Sequence, residues 1–129
     1  MSSHDDIRAL MQRYARAVDE RDVDGLASLF HPDAQIVGAR GVQSLGDWLE
    51  TMRAPRSFPS SMHVIGEPLI DDDGPGGATT DTYAVVYQIG DPGAGQSDLT
   101  LGMRYVDRLV LEQGRWLFKS RSSNVVWMR

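Results

Sequence analysis

Residues 99 to 127 read LTLGMRYVDRLVLEQGRWLFKSRSSNVVW, and this stretch decides the fold. Branched and aromatic side chains, which are frequent in strands, stand on both sides of the pair Gln113-Gly114. A glycine-containing pair between two such runs suits the tight turn of a β-hairpin. The pattern therefore predicts a long strand from Leu99 to Glu112 and a last strand from Arg115 to Trp127.

Two earlier runs predict further strands. Thr79 to Ile89 is rich in Thr, Tyr and Val, and Met62 to Ile70 forms a second apolar run. Pro68 lies within that second run, and because proline cannot donate to a neighbouring strand it indicates an edge strand or a bulge. The segments 54–61, 71–77 and 90–95 are rich in Gly, Pro, Ser and Asp and predict turns or loops.

The first third of the chain has helical spacing. Ser2 or Ser3 is placed to cap a first helix, with Asp5 and Asp6 in its first turn, where negative charge suits the helix dipole. The helix is predicted to end near Arg21. One apolar stripe at helical spacing consists of Ile7, Leu10, Met11, Tyr14 and Val18.

Two shorter helices are predicted after it. Asp22 or Asp24 caps the second helix, and Pro32 follows its end. Its inward residues are predicted to be Leu26, Leu29 and Phe30. Ser44 caps the third helix in a capping box that has Asp instead of Glu, and Pro55 stops it. The apolar positions of this helix are Leu45, Trp48, Leu49 and Met52.

The order of the elements indicates the fold class. Ala34 to Gly38 predicts a short strand between the second and third helices, and four strands follow the third helix. Early helices followed by a meander of strands predict an α+β fold in one domain spanning residues 1–129, without internal repeats. A curved sheet partly covered by three helices leaves a concave face, which is a natural site for a small molecule.

Composition excludes several classes of function. The chain has 129 residues, a net charge of −5 and no cysteine. The negative charge argues against nucleic acids and anionic membranes as partners, and the lack of cysteine excludes disulfides and thiolate chemistry. The polar start has no secretory pattern, and no apolar run approaches the length of a membrane span, so a cytoplasmic location is expected.

Asp19 and His63 are the candidate catalytic pair, and Tyr14 lies on the same predicted helix as Asp19. An imidazole oriented by a carboxylate makes a general base that works near neutral pH. Each residue also has an ordinary structural interpretation. Asp19 lies outside the apolar stripe and suits a solvated helix end, His63 has apolar neighbours and suits a buried structural histidine, and Tyr14 suits the core.

Other motifs predict no metal or cofactor. The run Asp71-Asp72-Asp73-Gly74 lacks the distal Glu of a calcium loop and is interpreted as a solvated turn. His4, His31 and His63 are not spaced as a metal-ligand set. No glycine-rich turn leads from a strand into a helix, as a phosphate site would require.

Three parts of the sequence resemble the SnoaL-like branch of the NTF2-like superfamily. They are Tyr14 to Asp22 with Leu29 to Ala34, then Met62 to Gly66, then Gly102 to Leu109 with Gly114 to Phe118 and Trp127. The resemblance covers nearly the whole chain. It implies an NTF2-like cone, in which a curved, mostly antiparallel sheet wraps on three N-terminal helices around a pocket.

The resemblance also implies roles for individual residues. Several dehydratase-like members of the family use an Asp on the first helix and a His on a later strand, and Asp19 and His63 match these positions. Tyr14 matches a pocket tyrosine seen in some members. Scytalone dehydratase has a second catalytic histidine on the following strand, where this chain has Tyr87 and Gln88, so its substrate is not carried over.

A set of further residues is predicted to bind the substrate. The set is Trp48, Tyr87, Met103, Arg104, Asn124 and Trp127. For Arg104, Asn124 and Arg121 the sequence leaves two alternatives, the wall of the cavity or the outer face of the sheet. The aromatic members of the set suit an apolar ring substrate.

These residues lead to one main hypothesis of function. The chain is expected to be a cofactor-free lyase or isomerase, dehydratase-like, that acts on a small apolar cyclic or polyketide-like molecule through His63, Asp19 and Tyr14. The alternatives are a non-catalytic module for ligand binding or subunit assembly, and a polyketide cyclase. The expected partners are the small-molecule substrate and further copies of the chain in a homodimer or homotrimer.

Overall fold

The architecture is a set of N-terminal helices packed on one long sheet, seen here in a computed structural model. The structure describes residues 3 to 129, and the predicted cap at Ser2 or at the Ser3 side chain lies outside the described part. The helices are α1 (Ser3–Glu20), α2 (Val23–Ala27) and α3 (Leu45–Arg53). The strands are β1 (Phe30–Gly38), β2 (Gly41–Ser44), β3 (Ser60–Ile65), β4 (Leu69–Asp72), β5 (Gly77–Ile89), β6 (Leu99–Glu112) and β7 (Arg115–Met128). Within this described part, no helix is long and apolar enough to cross a membrane.

The sheet confirms the predicted α+β fold. Its strand order is β2-β1-β7-β6-β5-β3, and β4 pairs with β5 beyond the end of β3. All neighbours are antiparallel except β1 and β7, which are parallel. The predicted hairpin at Gln113-Gly114 is present, and both residues have the positive φ that such a turn requires. The three longest strands form the predicted meander.

The strand predicted from Met62 to Ile70 is wrong in one respect, since it is two strands. β3 ends at Ile65 and β4 begins at Leu69, and both pair with β5. Gly66 donates its backbone N–H to the Tyr83 carbonyl at 2.8 Å, where a Cβ atom would lie only 2.8 Å from that oxygen. Pro68 has no N–H to donate to the sheet, so the chain leaves β5 after β3 and pairs with it again in β4.

Four further features differ from the sequence prediction. Phe30 belongs to β1 and not to the second helix, because it pairs with Phe118 in the core. Pro32 therefore lies within β1, and that strand starts before the predicted Ala34. The sequence missed the short strand Gly41–Ser44, and the predicted loop after β5 contains a 3-10 helix, Pro92–Ala94. In β1 and β2, tertiary pairing overrides the local propensity.

The helix caps follow the local chemistry. Asp22, rather than Asp24, caps α2, since its carboxylate accepts from the Gly25 N–H at 2.9 Å. Ser44 caps α3 as predicted, and its hydroxyl accepts from the Asp47 N–H at 3.1 Å. Both caps satisfy N–H groups that a helix start would otherwise leave unpaired.

The core lies between the helices and the inner face of the sheet. The predicted stripe of α1 is buried, with Ile7, Leu10, Met11 and Tyr14 against the sheet. Fully burying one such side chain stabilises the fold by about 1.5–3 kcal/mol. A smaller apolar cluster of inner-face residues lies farther along the sheet and comprises Ala84, Val86, Met103 and Tyr105.

Candidate active site

Asp19 and His63 meet where the end of α1 faces β3. One carboxylate oxygen of Asp19 accepts from His63 Nδ1 at 2.6 Å, and the other accepts from the backbone N–H of His63 at 2.8 Å. Ser61 Oγ donates to Asp19 at 2.8 Å. The side chains are 20% exposed for Asp19 and 8% exposed for His63. The predicted contact is therefore present, and three donors hold the carboxylate in place.

This contact defines the orientation of the imidazole. Nδ1 carries a proton toward the carboxylate, and Nε2 then presents its lone pair. Nε2 of His63 has no hydrogen-bond partner among residues 3–129. The imidazole is thus held by its backbone and by one ring nitrogen, while the other nitrogen is available to a ligand.

The surroundings keep His63 neutral. Burial lowers the pKa of His63 below its ordinary value, and the positive charges of Arg121 and Arg21 lower it further. The hydrogen bond and the negative charge of Asp19 act in the opposite direction but do not reverse the shift. At neutral pH the imidazole is therefore unprotonated and can accept a proton.

Tyr14 lies in the aromatic layer next to the imidazole. Its ring is edge-on to His63, with 6.5 Å between centroids, and stacks on Trp48 at 6.3 Å. Burial raises the pKa of the Tyr14 hydroxyl, so it stays protonated as a donor. Trp48 therefore shares the neighbourhood of Tyr14, and Met103 lies on the same inner face in the smaller cluster.

A buried ion pair on the inner face was not predicted from the sequence. Arg121 on β7 and Asp107 on β6 lie opposite each other, with Nε to Oδ1 at 2.8 Å, and their side chains are 1% and 0% exposed. Thr80 donates to the same carboxylate at 3.0 Å. The available signal was the period of two along β6, since Asp107 shares the face of Met103 and Tyr105.

The Arg121 guanidinium is a buried positive charge that contacts three aromatic rings. It lies 4.2 Å from the ring centroid of Tyr14, 4.1 Å from that of Tyr105 and 4.5 Å from that of Phe118. Burial lowers its pKa, but Asp107 and the tyrosines more than offset this and the pKa is raised overall. One terminal nitrogen, Nη1, is buried and has no acceptor among the described residues.

Part of the inner face is exposed on β7, in strand rows that run across the sheet to β3. The register places Val86, Leu101 and Met128 in one row with His63 across β3, β5, β6 and β7. Met128 is 59% exposed, and Val125 in the next row is 53% exposed. We call this apolar surface the open end. Val86, the neighbour of His63 in this row, is 3% exposed.

Comparison with known proteins decides the family. A family model described as the SnoaL-like domain matches residues 1–122. The chain belongs to the SnoaL-like family. A search of curated protein sequences finds no match.

Solved structures similar to this SnoaL-like chain share its fold. A scytalone dehydratase candidate from Novosphingobium aromaticivorans is 20% identical, with a TM-score of 0.84 over 95% of this chain and 83% of that one. The hexachlorocyclohexane dehydrochlorinase LinA-type3 from Novosphingobium barchaimii is 16% identical, with a TM-score of 0.83 over 98% and 88%. A Mycobacterium tuberculosis protein of unknown function is 24% identical, with a TM-score of 0.80 over 93% and 69%. These identities show the fold alone.

Four residues predicted to bind substrate lie on the other face of the sheet. Arg104 pairs with Asp81, with Nε to Oδ1 at 2.9 Å, and Asn124 donates to the Arg104 carbonyl at 3.2 Å. The indole of Trp127 covers Gly102, where a Cβ atom would lie 2.2 Å from the ring nitrogen. Tyr87 pairs with Met62, whose side chain also points outward. The SnoaL-like fold therefore separates these four residues from Asp19 and His63.

The outer face carries an apolar groove of its own. It has a volume of about 390 Å³ and is lined by residues that include Val64, Tyr83, Val85, Gly102 and Trp127. The same strand, β3, thus presents His63 to the inside and Val64 to this groove. Among the described residues, no three His, Cys, Asp or Glu side chains are grouped as a metal site.

Proposed function

We propose that this SnoaL-like chain is a cofactor-free lyase or isomerase in which His63 removes a proton from a small, largely apolar substrate. The observation that carries the proposal is the buried contact between Asp19 and His63 Nδ1 at 2.6 Å, which leaves Nε2 without a protein partner in the described chain. A histidine held only for structural reasons would be expected to pair both ring nitrogens when buried.

The proposed reaction is a proton transfer with charge compensation. His63 Nε2 takes a proton from carbon, and the electron pair of the broken C–H bond moves toward a carbonyl or expels a leaving group from the adjacent carbon. Asp19 stabilises the imidazolium that forms, because its carboxylate already accepts the Nδ1 proton. General-base catalysis of this kind contributes about 10²–10⁴-fold to the rate.

Two side chains of the inner face suit the stabilisation of negative charge. Tyr14 is a protonated donor in the aromatic layer next to His63, and Arg121 is a buried cation in van der Waals contact with the Tyr14 ring. An oxyanion that develops in an apolar site gains more from a fixed donor or cation than it would in water. Both residues therefore suit the oxygen that becomes negative, whether it belongs to a carbonyl or to a leaving group.

The open end supports an apolar substrate class. Its surface is formed by apolar side chains, which favour a ring or short polyketide-like chain over a sugar or nucleotide. The similar structures include a scytalone dehydratase candidate and a hexachlorocyclohexane dehydrochlorinase, whose names describe the loss of water and the loss of hydrogen chloride. That shared reaction type supports elimination as the first reaction to test.

The test is a screen followed by two substitutions. Cyclic β-hydroxy ketones would be screened for loss of water by absorbance of the conjugated product. With a substrate found, Asp19→Asn and His63→Gln are each expected to lower kcat by about 10²–10⁴-fold. Asp81→Asn, on the outer face, is the matched control and is expected to keep full activity. Full activity in His63→Gln would exclude the proposed base.

A second candidate function is assembly, and the outer face favours it. Exposed apolar side chains form one outer apolar patch, made of Met62, Val64, Tyr83, Tyr87, Val106 and Trp127. Six such half-exposed side chains present roughly 500 Å², close to the largest patch of a typical monomer and a large part of the ~800 Å² that each partner contributes to a stable interface. We propose a second copy of the chain as the occupant, in a homodimer or homotrimer.

Assembly and catalysis can be tested separately. Val64→Glu places a charge in the outer apolar patch without touching the inner face, and Val42→Glu is a control at an exposed position on β2. Sedimentation velocity is expected to show an oligomer for the unmodified chain and for Val42→Glu, and a smaller species for Val64→Glu. A monomer at all concentrations of the unmodified chain would remove this second candidate.

A further inference from the structure

Two arginines lie beside the candidate catalytic pair, Asp19 and His63, and neither arginine has a carboxylate partner. Arg56, in the segment between α3 and β3, donates to the backbone carbonyl of Asp19 at 3.3 Å and to Ser61 Oγ at 3.1 Å. Arg21 follows α1 and donates to the sulfur of Met52 at 3.3 Å. Both guanidinium groups therefore border the elements that hold His63. Within residues 3–129 neither arginine forms an ion pair.

The hydrogen-bond partners of these cations are incomplete. The Nε–H groups of Arg21 and Arg56 are both buried and have no acceptor among the described residues. A thioether sulfur, the one acceptor that Arg21 has in this part of the chain, is weak. Buried donors without acceptors cost stability, which a ligand that supplies acceptors would recover.

The charges are also close enough to repel each other. Burial lowers the pKa of the Arg21 guanidinium, and the charge of Arg56 lowers it further. The charge of Arg21 also lowers the pKa of His63. Two mutually repelling cations beside an imidazole form the electrostatic setting that an anion would relieve.

The backbone gives an independent indication that Arg21 has a role. Its φ is 54°, in the left-handed region, and it closes α1 with its N–H on the Val18 carbonyl. Glycine is the usual residue at this position, because it has no Cβ atom to crowd the backbone in the left-handed region. A cation suits the end of a helix, but this position retains a strained arginine where glycine would be easier.

We propose that Arg21 and Arg56 bind a carboxylate group of the substrate at the rim of the site, within reach of His63. The planar forks of two guanidinium groups match the paired oxygens of a carboxylate, which would accept charge-assisted hydrogen bonds from them. The inference rests on the proposed function only in assigning the anion to a substrate. It narrows that substrate to an apolar ring or chain that carries an acid group.

Benzoate and its neutral isostere benzamide test the proposal directly. The Nε–Hε signals of arginine side chains and the backbone amides of Ser61 and His63 would be followed by ¹⁵N NMR during titration with each compound. Benzoate is expected to shift the Arg21 and Arg56 Nε–Hε signals and to bind at least about ten-fold more tightly than benzamide, as a charge-assisted pair predicts.

Three variants separate binding from folding. Arg21→Gly removes the cation and relieves the positive φ, so the protein is expected to fold at least as well and to lose about ten-fold in benzoate affinity. Arg56→Lys keeps the charge and is expected to lose less. Arg16→Gln, an exposed arginine on the same helix, is the charge-matched control and is expected to bind normally.

The titration with benzoate tests the carboxylate site independently of the catalytic proposal. Equal affinity for benzoate and benzamide, or unchanged benzoate binding in Arg21→Gly, would overturn the carboxylate site. His63→Gln does not enter this test, because binding needs the arginines and not the base. Loss of the catalytic proposal would therefore leave the titration result standing, and a failed titration would leave the kinetics of His63→Gln to be judged alone.

Discussion

The two faces of the sheet each carry an arginine paired with an aspartate, and the pairs differ in almost everything except chemistry. Arg121 and Asp107 lie inside, with side chains 1% and 0% exposed, against aromatic rings and with a hydroxyl donor from Thr80. Arg104 and Asp81 lie outside, 47% and 30% exposed. The outer pair is bidentate, yet water competes for every one of its donors.

The difference shows that similar contact geometry does not imply a similar contribution to the free energy of unfolding. The inner pair excludes water, so each partner depends on the other for its charge to be tolerated. The outer pair can separate and be solvated at little cost. The same reasoning distinguishes the contact of Asp19 with His63, which is buried and reinforced by Ser61, from the exposed contact of His4 with Asp72.

The largest expected effect comes from breaking the inner pair. Asp107→Asn leaves the Arg121 cation buried without a counter-charge, which is expected to lower the free energy of unfolding by about 3–5 kcal/mol. Asp81→Asn makes the same chemical change on the outer face and is expected to leave the urea midpoint nearly unchanged. Urea unfolding followed by tryptophan fluorescence measures both. Similar losses in the two variants would contradict the comparison.

A pair of threonines on β5 refines the description of the inner face. The Thr80 hydroxyl donates to Asp107, whereas the buried hydroxyl of Thr82 has no partner among the described residues. Thr80→Val is expected to destabilise the fold by about 1–3 kcal/mol, and Thr82→Val to stabilise it by roughly 0.5–1 kcal/mol. Urea unfolding measures the change in stability of both variants. A stabilising Thr80→Val would show that Asp107 does not need the hydrogen bond from Thr80.

The smallest expected effect is a change in pH dependence. Because the pKa of His63 is lowered, kcat/KM should fall only as pH drops through a value below 6.5. The unfolded chain takes up a proton on His63 at higher pH than the folded chain, so stability should also decline as pH falls from 6.5 through the lowered pKa.

Two variants locate the origin of this pH dependence. Arg21→Gly removes a cation that lowers the pKa of His63, so its kcat/KM profile is expected to shift to higher pH. Arg104→Gln removes a cation from the outer face and is expected to leave the profile unchanged. A profile that shifts in neither variant, or equally in both, would show that the two faces do not differ electrostatically at His63.

Much of the fold follows from the sequence because its strands are long and regular. The hairpin at Gln113-Gly114 and the strands beside it were predicted from composition and turn chemistry alone. The short elements were missed, because Gly41–Ser44 and the division at Gly66 depend on pairing with distant strands and not on local propensity. The contact of Asp19 with His63 came from family resemblance, since helical periodicity gives no reason for Asp19 to face inward.

The remaining errors at the site have a simple physical cause. Neighbouring residues in a strand point to opposite faces, so Met103 and Arg104 could not both line one pocket. The same alternation, applied to Tyr105 and Asp107, would have placed the carboxylate inside. Arg56 could not have been found this way, because its contact with Asp19 depends on the path of a loop, which local sequence does not specify.

The position of β7 has a consequence for how the chain folds. It lies between β1 and β6, so the early strands β1 and β2 join the rest of the sheet only through it. Phe30 in β1 pairs with Phe118 in β7, far along the chain, so β1 joins the sheet only after β7 has formed. Contacts so distant in sequence are formed slowly. During synthesis, β1 and β2 therefore stay separate from the rest of the sheet until the last strand is made, and closure of the sheet is a late event.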